Sequence, residues 1–208
     1  LDSALDLDAN RMNYFRDQLG PASILNYRCG GSMGMMKYVT DFFFQEFGPV
    51  TIKSGDICAG AGDWAQAIDF GTQDSNDFFD LLNSKTVFLW GKNVYVSHVH
   101  LLPILKQAKS RGIQLVLIDP VHHRTAALAD EFFQIQPGAD GPLALGMARW
   151  MLDRERLDPA AANYCDQWDG YCDLLKSRTV NQWADLADMA PKTLEHLAEL
   201  YSDGPTTI

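Results

Sequence analysis

Two apolar runs constrain the fold more than any other feature: "TVFLWG" at 86–91 and "IQLVLIDP" at 113–120, separated by the helix-patterned "HLLPILKQAKSRG". Neither run alternates apolar with polar residues, so each reads as a strand covered on both faces, and the stretch between them is long enough for a crossover. Gly112 closes that helix. "HRTAALAD" (123–130) reads as the start of a further helix, "EFFQIQPG" (131–138) as a third strand, and "GPLALGMARWMLD" as helix again. Buried strands alternating with helices predict an α/β fold: a doubly wound, mostly parallel, Rossmann-like sheet with helices on both faces.

The flanking segments are less regular. Residues 3–19 pattern as an amphipathic helix with Leu5, Met12, Phe15 and Leu19 on one face, stopped by Gly20 and Pro21. A short buried strand "ASILNY" follows, then the glycine loop "RCGGSMG", an aromatic helix "MMKYVTDFFFQEFG", a strand "VTIK", and the small-residue loop "SGDICAGAG" leading to a helix over 62–70. Beyond about residue 158 the pattern is helical, with Trp168, Trp183, Leu186, Leu194 and Leu197 as expected core. The expected organisation is 1–55, the end of a sheet and helix domain leading to the cysteine loop, and 56–208, a Rossmann-like domain with a helical end.

A formal charge of −10 argues against nucleic-acid partners, which need clustered Lys and Arg. No apolar run approaches the ~18 residues of a membrane span. The four cysteines, Cys29, Cys58, Cys165 and Cys172, include no CxxC pair, so neither an iron–sulfur cluster nor a structural zinc is expected within the chain. Cys165 and Cys172 could pair across a turn, and the compartment, cytoplasmic or periplasmic, stays open.

In a doubly wound sheet, ligands bind beyond the carboxyl ends of the strands. Four loops are expected there: "RCGGSMG", "WGKN", "DPVHHRTA" and "QPGADG". Asp119 ends a strand, where a carboxylate accepts ribose hydroxyls; it is equally a turn-former. Asp140 has the geometry to accept the N–H groups of a guanine edge, while Gly91 and Asn93 offer close backbone approach and an amide. Together the loops suggest a nucleotide site, although Gly138 and Gly141 serve equally as turn residues. His98 and His100, and the adjacent His122 and His123, form groupings that can bind zinc, but no acidic partner stands at metal-ligand spacing; His100 reads rather as the cap of the helix that follows, and His122 and His123 as lining the loop after Asp119. Cys58, among residues with almost no side chains, reads as a soft metal ligand, a nucleophile or a small core residue.

Residues 86–152 together resemble the molybdopterin oxidoreductases of the dimethyl sulfoxide reductase family. The family pattern is a strand ending WGxN, an SH, a helix, a strand ending DP, TAxxAD, and PGxDxALALGM. Here it is Trp90, Gly91 and Asn93; Ser97 and His98; Asp119 and Pro120; Thr125 through Asp130; and Pro137, Gly138 and Asp140. The resemblance implies a molybdenum or tungsten centre on two molybdopterin guanine dinucleotides. It implies that Cys58, thirteen residues before Gly71, is the catalytic metal ligand. It also places Gly30, Gly31, Ser32 and Gly34 by the pterin and the substrate channel, Asp119 and Asp140 on a guanosine end, and Ser97 and His98 near phosphates. Trp90, Pro120, His122, Thr125 and Pro137 complete the cofactor set.

Val121, His122 and His123 stand where the family has Arg-Arg-Thr, and Ala59 where formate dehydrogenases place a histidine. Against the family's N-terminal cysteine cluster and C-terminal β-rich domain, neither of which the sequence contains, the chain is expected to be an internal portion of such an enzyme, partnered by its remaining domains, electron-transfer subunits and a small substrate. The other expectations considered are a free-standing, non-catalytic nucleotide-binding module and a zinc hydrolase built on the four histidines.

Overall fold

The chain folds as two units, Leu1–Ser75 and Asn76–Ile208, in a computed structural model that describes residues 1–30, 34–72 and 77–208. The division falls after residue 75, not after residue 55 as expected, so the cysteine loop and the helix behind it belong to the first unit.

In the first unit, α1 (Asp2–Leu19) ends at Gly20, whose φ of 85° no β-carbon favours. Strand β1 (Leu25–Asn26) pairs in parallel with β2 (Thr51–Ile52), and α2 (Val39–Phe47) makes the crossover between them. Helix α3 (Gly60–Phe70) stops at left-handed Gly71. The elements fall where the sequence pattern puts them, but the expected burial does not follow. No described residue of this unit is buried. Leu25 in the supposedly buried strand is 55% exposed, and Leu5 and Leu19 of the α1 stripe are 56% and 68% exposed. A two-stranded sheet gives such a stripe too little to pack on.

The second unit holds the alternation that dominates the sequence. It runs β3 (Thr86–Trp90), α4 (Val94–Ser97), α5 (Leu102–Ser110), β4 (Gln114–Asp119), β5 (Glu131–Gln134), α6 (Asp140–Asp153), α7 (Trp168–Lys176), α8 (Val180–Leu186), α9 (Pro191–Ser202) and β6 (Thr206–Thr207). The strands form one sheet in the order β5-β4-β3-β6, all parallel, with Thr86 opposite Gln114 and Trp90 opposite Ile118. The chain walks outward from β3 to β5 and returns to place β6 on the far side of β3, so winding reverses at β3.

Alternate side chains of the central strands feed two cores. Val87, Leu89, Leu115 and Leu117 pack with Ile104, Leu105 and Ala108 of α5. Phe88, Val116 and Ile118 pack on the other face with Leu143 and Met147 of α6, Ala184 of α8, and Leu194 and Leu197 of α9. This is the expected α/β sheet with helices on both faces.

Three expectations need correction here. "HRTAALAD" forms only a 3₁₀ turn, Arg124–Ala127. The Asp130 carboxylate, which accepts from Leu115 N–H, pins the segment's far end to β4 and leaves no length for a helix. His100 lies in a 3₁₀ turn, and α5 starts at Leu102 behind the N-cap residue Leu101, with no side-chain cap. Trp168 is only half-buried and Leu186 is 52% exposed; Trp183, Leu194 and Leu197 are buried as expected, and Leu175 and Ala187 join them in the core.

Helix α6 approaches α8 and α9 at Gly146, where a β-carbon would lie 2.5 Å from Leu194 Cδ1 and 2.9 Å from Trp183 Cβ. Gly146→Ala is therefore expected to destabilise the second unit by about 1–3 kcal/mol through overpacking. Gly170→Ala in α7, where a β-carbon meets nothing within 4 Å, is expected to be neutral or to gain up to ~1 kcal/mol. Urea unfolding of the two variants, followed by tryptophan fluorescence, checks the opposite signs.

Candidate functional site

Three loops leave the carboxyl edge of the four-stranded sheet. After β3, Gly91 turns with φ 62° and donates its N–H to Ile118 O (2.8 Å), locking the end of β3 to β4. Asn93 follows. Its backbone oxygen accepts the Ser97 N–H and hydroxyl, each at 2.9 Å, while its side-chain Oδ1 is buried with no partner. An amide oxygen without a donor inside a protein is costly, on the order of 1–3 kcal/mol. The fully buried Thr125 places its Oγ1 in the same condition. Two orphaned polar atoms at this edge are what a site awaiting a polar ligand presents.

After β4, the Asp119 carboxylate is buried and engaged within its own loop. Oδ1 accepts Val121 N–H (2.8 Å) and Oδ2 accepts from His123 Nε2 (3.1 Å). Because His123 Nδ1 accepts Thr125 N–H, the ring proton sits on Nε2, fixing the tautomer. His123, considered as a zinc ligand but left out of the expected cofactor set, ties Asp119 to Thr125. Its i, i+4 spacing from Asp119 was the available signal. His122 instead lies exposed, edge-on to Phe132 at 4.9 Å. Pro120 contributes its carbonyl to Gln134 Nε2 (3.0 Å).

After β5, Pro137 and left-handed Gly138 turn the chain into α6, and exposed Asp140 stands in its first turn. The Trp90 indole N–H donates to Asp140 Oδ1 (2.7 Å), tying the loops after β3 and β5 across the end of β4. Ser97 is exposed at the end of α4, and His98 packs edge-on to Phe78 at 4.8 Å.

The fourth expected loop does not belong to this edge. "RCGGSMG" follows β1, in the separate two-stranded sheet of the first unit; Gly30 and Gly34 are described there, while Gly31 and Ser32 lie outside the described residues. The histidines do not assemble either. Among the described residues, the group that could hold a metal ion is Cys29, Asp56 and Cys58, not His98, His100, His122 and His123. Cys165 and Cys172 are free.

Cys58 is exposed, in the loop between β2 and α3. Its thiol donates to Asp56 Oδ1 (3.1 Å), and its backbone N–H reaches the same oxygen (3.1 Å). Cys29 Sγ donates to that oxygen as well, at 2.7 Å. These donors hold the Asp56 carboxyl down to about 2, the Cys29 thiol contributing most. In turn the carboxylate acceptor pushes the Cys58 thiol up to about 11. The loop by itself therefore keeps Cys58 as a thiol, and only a cation in place of the proton would make it a ligand. Cys29, Gly30 and Asp56 line an open cleft of about 900 Å³ in this unit, with Arg28, Lys37 and Lys53.

A parallel sheet that reverses its winding at β3, with orphaned polar atoms and an exposed carboxylate at its carboxyl edge, is a doubly wound α/β unit. The other unit adds an exposed thiol in a small-residue loop. The chain belongs to the molybdopterin oxidoreductase family, whose model matches residues 2–161. It is 32% identical over 207 residues to the Bacillus subtilis protein named "Probable oxidoreductase YyaE", covering 99% of this chain and 31% of that one. It is 32% identical over 130 residues to the assimilatory nitrate reductase of Haloferax mediterranei, covering 62% of this chain and 18% of the reductase. Acetylene hydratase from Pelobacter acetylenicus shares the fold, with a TM-score of 0.71 at 22% identity over 96% of this chain and 28% of the hydratase. The chain thus spans less than a third of the length of these relatives. No helix among the described residues is long and apolar enough to cross a membrane.

The Asp56 contact is testable without any cofactor. Asp56→Asn should bring the Cys58 thiol from about 11 back toward its ordinary 9.0. The thiolate fraction at pH 8 then rises by roughly 100-fold, and lower intrinsic nucleophilicity leaves a net gain of roughly tenfold in alkylation rate. Site-resolved iodoacetamide labelling reads it; an unchanged Cys58 rate would mean that Asp56 does not hold the thiol.

Proposed function

We propose that this chain supplies the metal-ligand loop and the guanosine-binding sheet of a molybdenum or tungsten bis-pterin oxidoreductase. In this reading Cys58 ligates the metal, and the loops after β3, β4 and β5 take the guanosine end of one molybdopterin guanine dinucleotide. The cofactor, once bound, supplies oxygen-atom transfer or proton and two-electron transfer on a small substrate.

The residues fit such a group. What carries the reading is Asn93, whose amide oxygen is buried and unpartnered at the carboxyl edge of β3, beside a glycine turn that leaves open space. A nucleotide N–H or hydroxyl would satisfy it, and the Thr125 hydroxyl likewise. Asp140 keeps Oδ2 for the N–H pair of a guanine edge while Trp90 fixes its other oxygen. Asp119 retains a second lone pair on each oxygen for a ribose hydroxyl, held in place by His123. Gly91 and Gly138 have positive φ and nothing within 4 Å of a built β-carbon, so the backbone is open to close approach. Ser97 and His98 face phosphates, and Pro120, His122 and Pro137 shape the loops.

In the first unit, Cys58 would hold the metal through its sulfur, giving up to solvent the proton it now donates to Asp56 Oδ1. Gly62, with open space around its α-carbon, leaves room beside the ligand. Gly30 and Gly34 would border the pterin and the substrate path. The unit's exposed apolar side chains, among them Ile57, Trp64, Ile68 and Phe70, all more than 60% exposed, are read as surface covered by the enzyme's remaining domains. Electron-transfer subunits are further partners of the whole protein, whose relatives include a perchlorate reductase subunit alpha from Dechloromonas aromatica.

The test is the composition of the whole protein carrying this chain, purified from cells supplied with molybdate or tungstate. The expected result is about one metal per chain with guanosine monophosphate released on acid hydrolysis, and a loss of turnover in Cys58→Ala. Asp140→Asn is expected to lower nucleotide content about tenfold, the scale of one good charged hydrogen bond. Protein free of both metal and guanosine would overturn the reading.

A further inference from the structure

Cys29, Asp56 and Cys58 share a geometry that the function proposed above does not use. Cys29 lies just beyond β1 and Asp56 just beyond β2, adjacent parallel strands whose carboxyl ends bring both loops to one place. The two sulfurs are 3.7 Å apart, and both reach Asp56 Oδ1, Cys29 at 2.7 Å and Cys58 at 3.1 Å. All three donor atoms lie within 4.8 Å of one another. We propose that Cys29, Asp56 and Cys58 form a binding site for a zinc-class divalent ion.

The distances suit that class of ion. Tetrahedral zinc with bonds of about 2.3 Å to sulfur sets its sulfurs about 3.8 Å apart, close to the separation already present. A carboxylate oxygen in the same shell stands about 3.6 Å from each sulfur, so Asp56 must retreat by roughly half an ångström from Cys58 and roughly one from Cys29. Its side chain is 38% exposed and free to do so. Two soft sulfurs and one oxygen favour zinc-class ions over calcium or magnesium, and three protein ligands leave a fourth position to water. Lys53 lies 3.9 Å from Asp56 and donates to the Gly55 carbonyl, so it does not take the ion's place. On binding, both thiol protons pass to solvent and nothing is oxidised or reduced.

The site shares Cys58 with the molybdenum reading, which needs neither Cys29 nor Asp56. Only one consequence rests on that reading: a zinc-class ion and the pterin-borne metal would compete for Cys58.

The experiment uses the 208-residue chain, reduced with a phosphine, stripped with a chelator and titrated with Co²⁺, then Zn²⁺. One Co²⁺ per chain is expected, with a thiolate-to-cobalt charge-transfer absorption that zinc abolishes. Cys29→Ser and Cys58→Ser should each remove about half of that absorption. Asp56→Asn should keep it and weaken affinity at least about tenfold. Cys165→Ser with Cys172→Ser should change nothing. Zinc protection of Cys29 and Cys58 against alkylation in the unaltered chain gives the same answer without a variant. Absence of charge transfer, binding that survives Cys29→Ser combined with Cys58→Ser, or binding that needs Cys165 and Cys172 would overturn the proposal. Such a failure would leave the molybdenum reading to its own test on the whole protein.

Discussion

The second unit depends on the parallel pairing of β3 with β4. Leu115, Val116, Leu117 and Ile118 are 0% exposed, so the strand needs cover on both faces and cannot turn back in a hairpin. A crossover through α5 supplies one cover; α6, α8 and α9 supply the other. The same constraint collects Gly91, Asp119 and Asp140 at one edge, because every parallel strand ends there. Burial and binding geometry are thus two results of one pairing.

That edge is held together by bonds among its own loops, before any ligand is considered. Gly91 N–H to Ile118 O, Trp90 Nε1 to Asp140, and the Asp119–His123–Thr125 relay fix three loops against one another. Against this background the unpartnered Asn93 Oδ1 and Thr125 Oγ1 stand out, since the loops could bond almost everything except those two. In the first unit, the Asp56 carboxylate organises Cys58 instead, keeping it a thiol until a cation displaces the proton.

The sheet was legible because its strands are continuous apolar runs, with a helix-patterned stretch between β3 and β4 that stops just before Gly112. Continuous burial has few other solutions. The first unit was legible in its elements but not its packing: α1 carries a stripe, and none of its residues is fully buried by the described residues. "HRTAALAD" misled because helix pattern does not register that Asp130 anchors the segment's far end. The grouping of Cys29 with Asp56 and Cys58 was hidden because separation along the chain says nothing once parallel strands bring two loops together. His123 was passed over for its neighbour, although its spacing from Asp119 fits a loop that folds back on its own strand end.

The central claim is that Cys58 is the protein ligand of a molybdenum or tungsten centre in the full-length protein. X-ray absorption at the metal edge tests it most directly, comparing the unaltered protein with Cys58→Ser. The account predicts one sulfur fewer and one oxygen or nitrogen more around the metal in the variant, with the remaining sulfur shell unchanged. An identical sulfur shell in both proteins would contradict it.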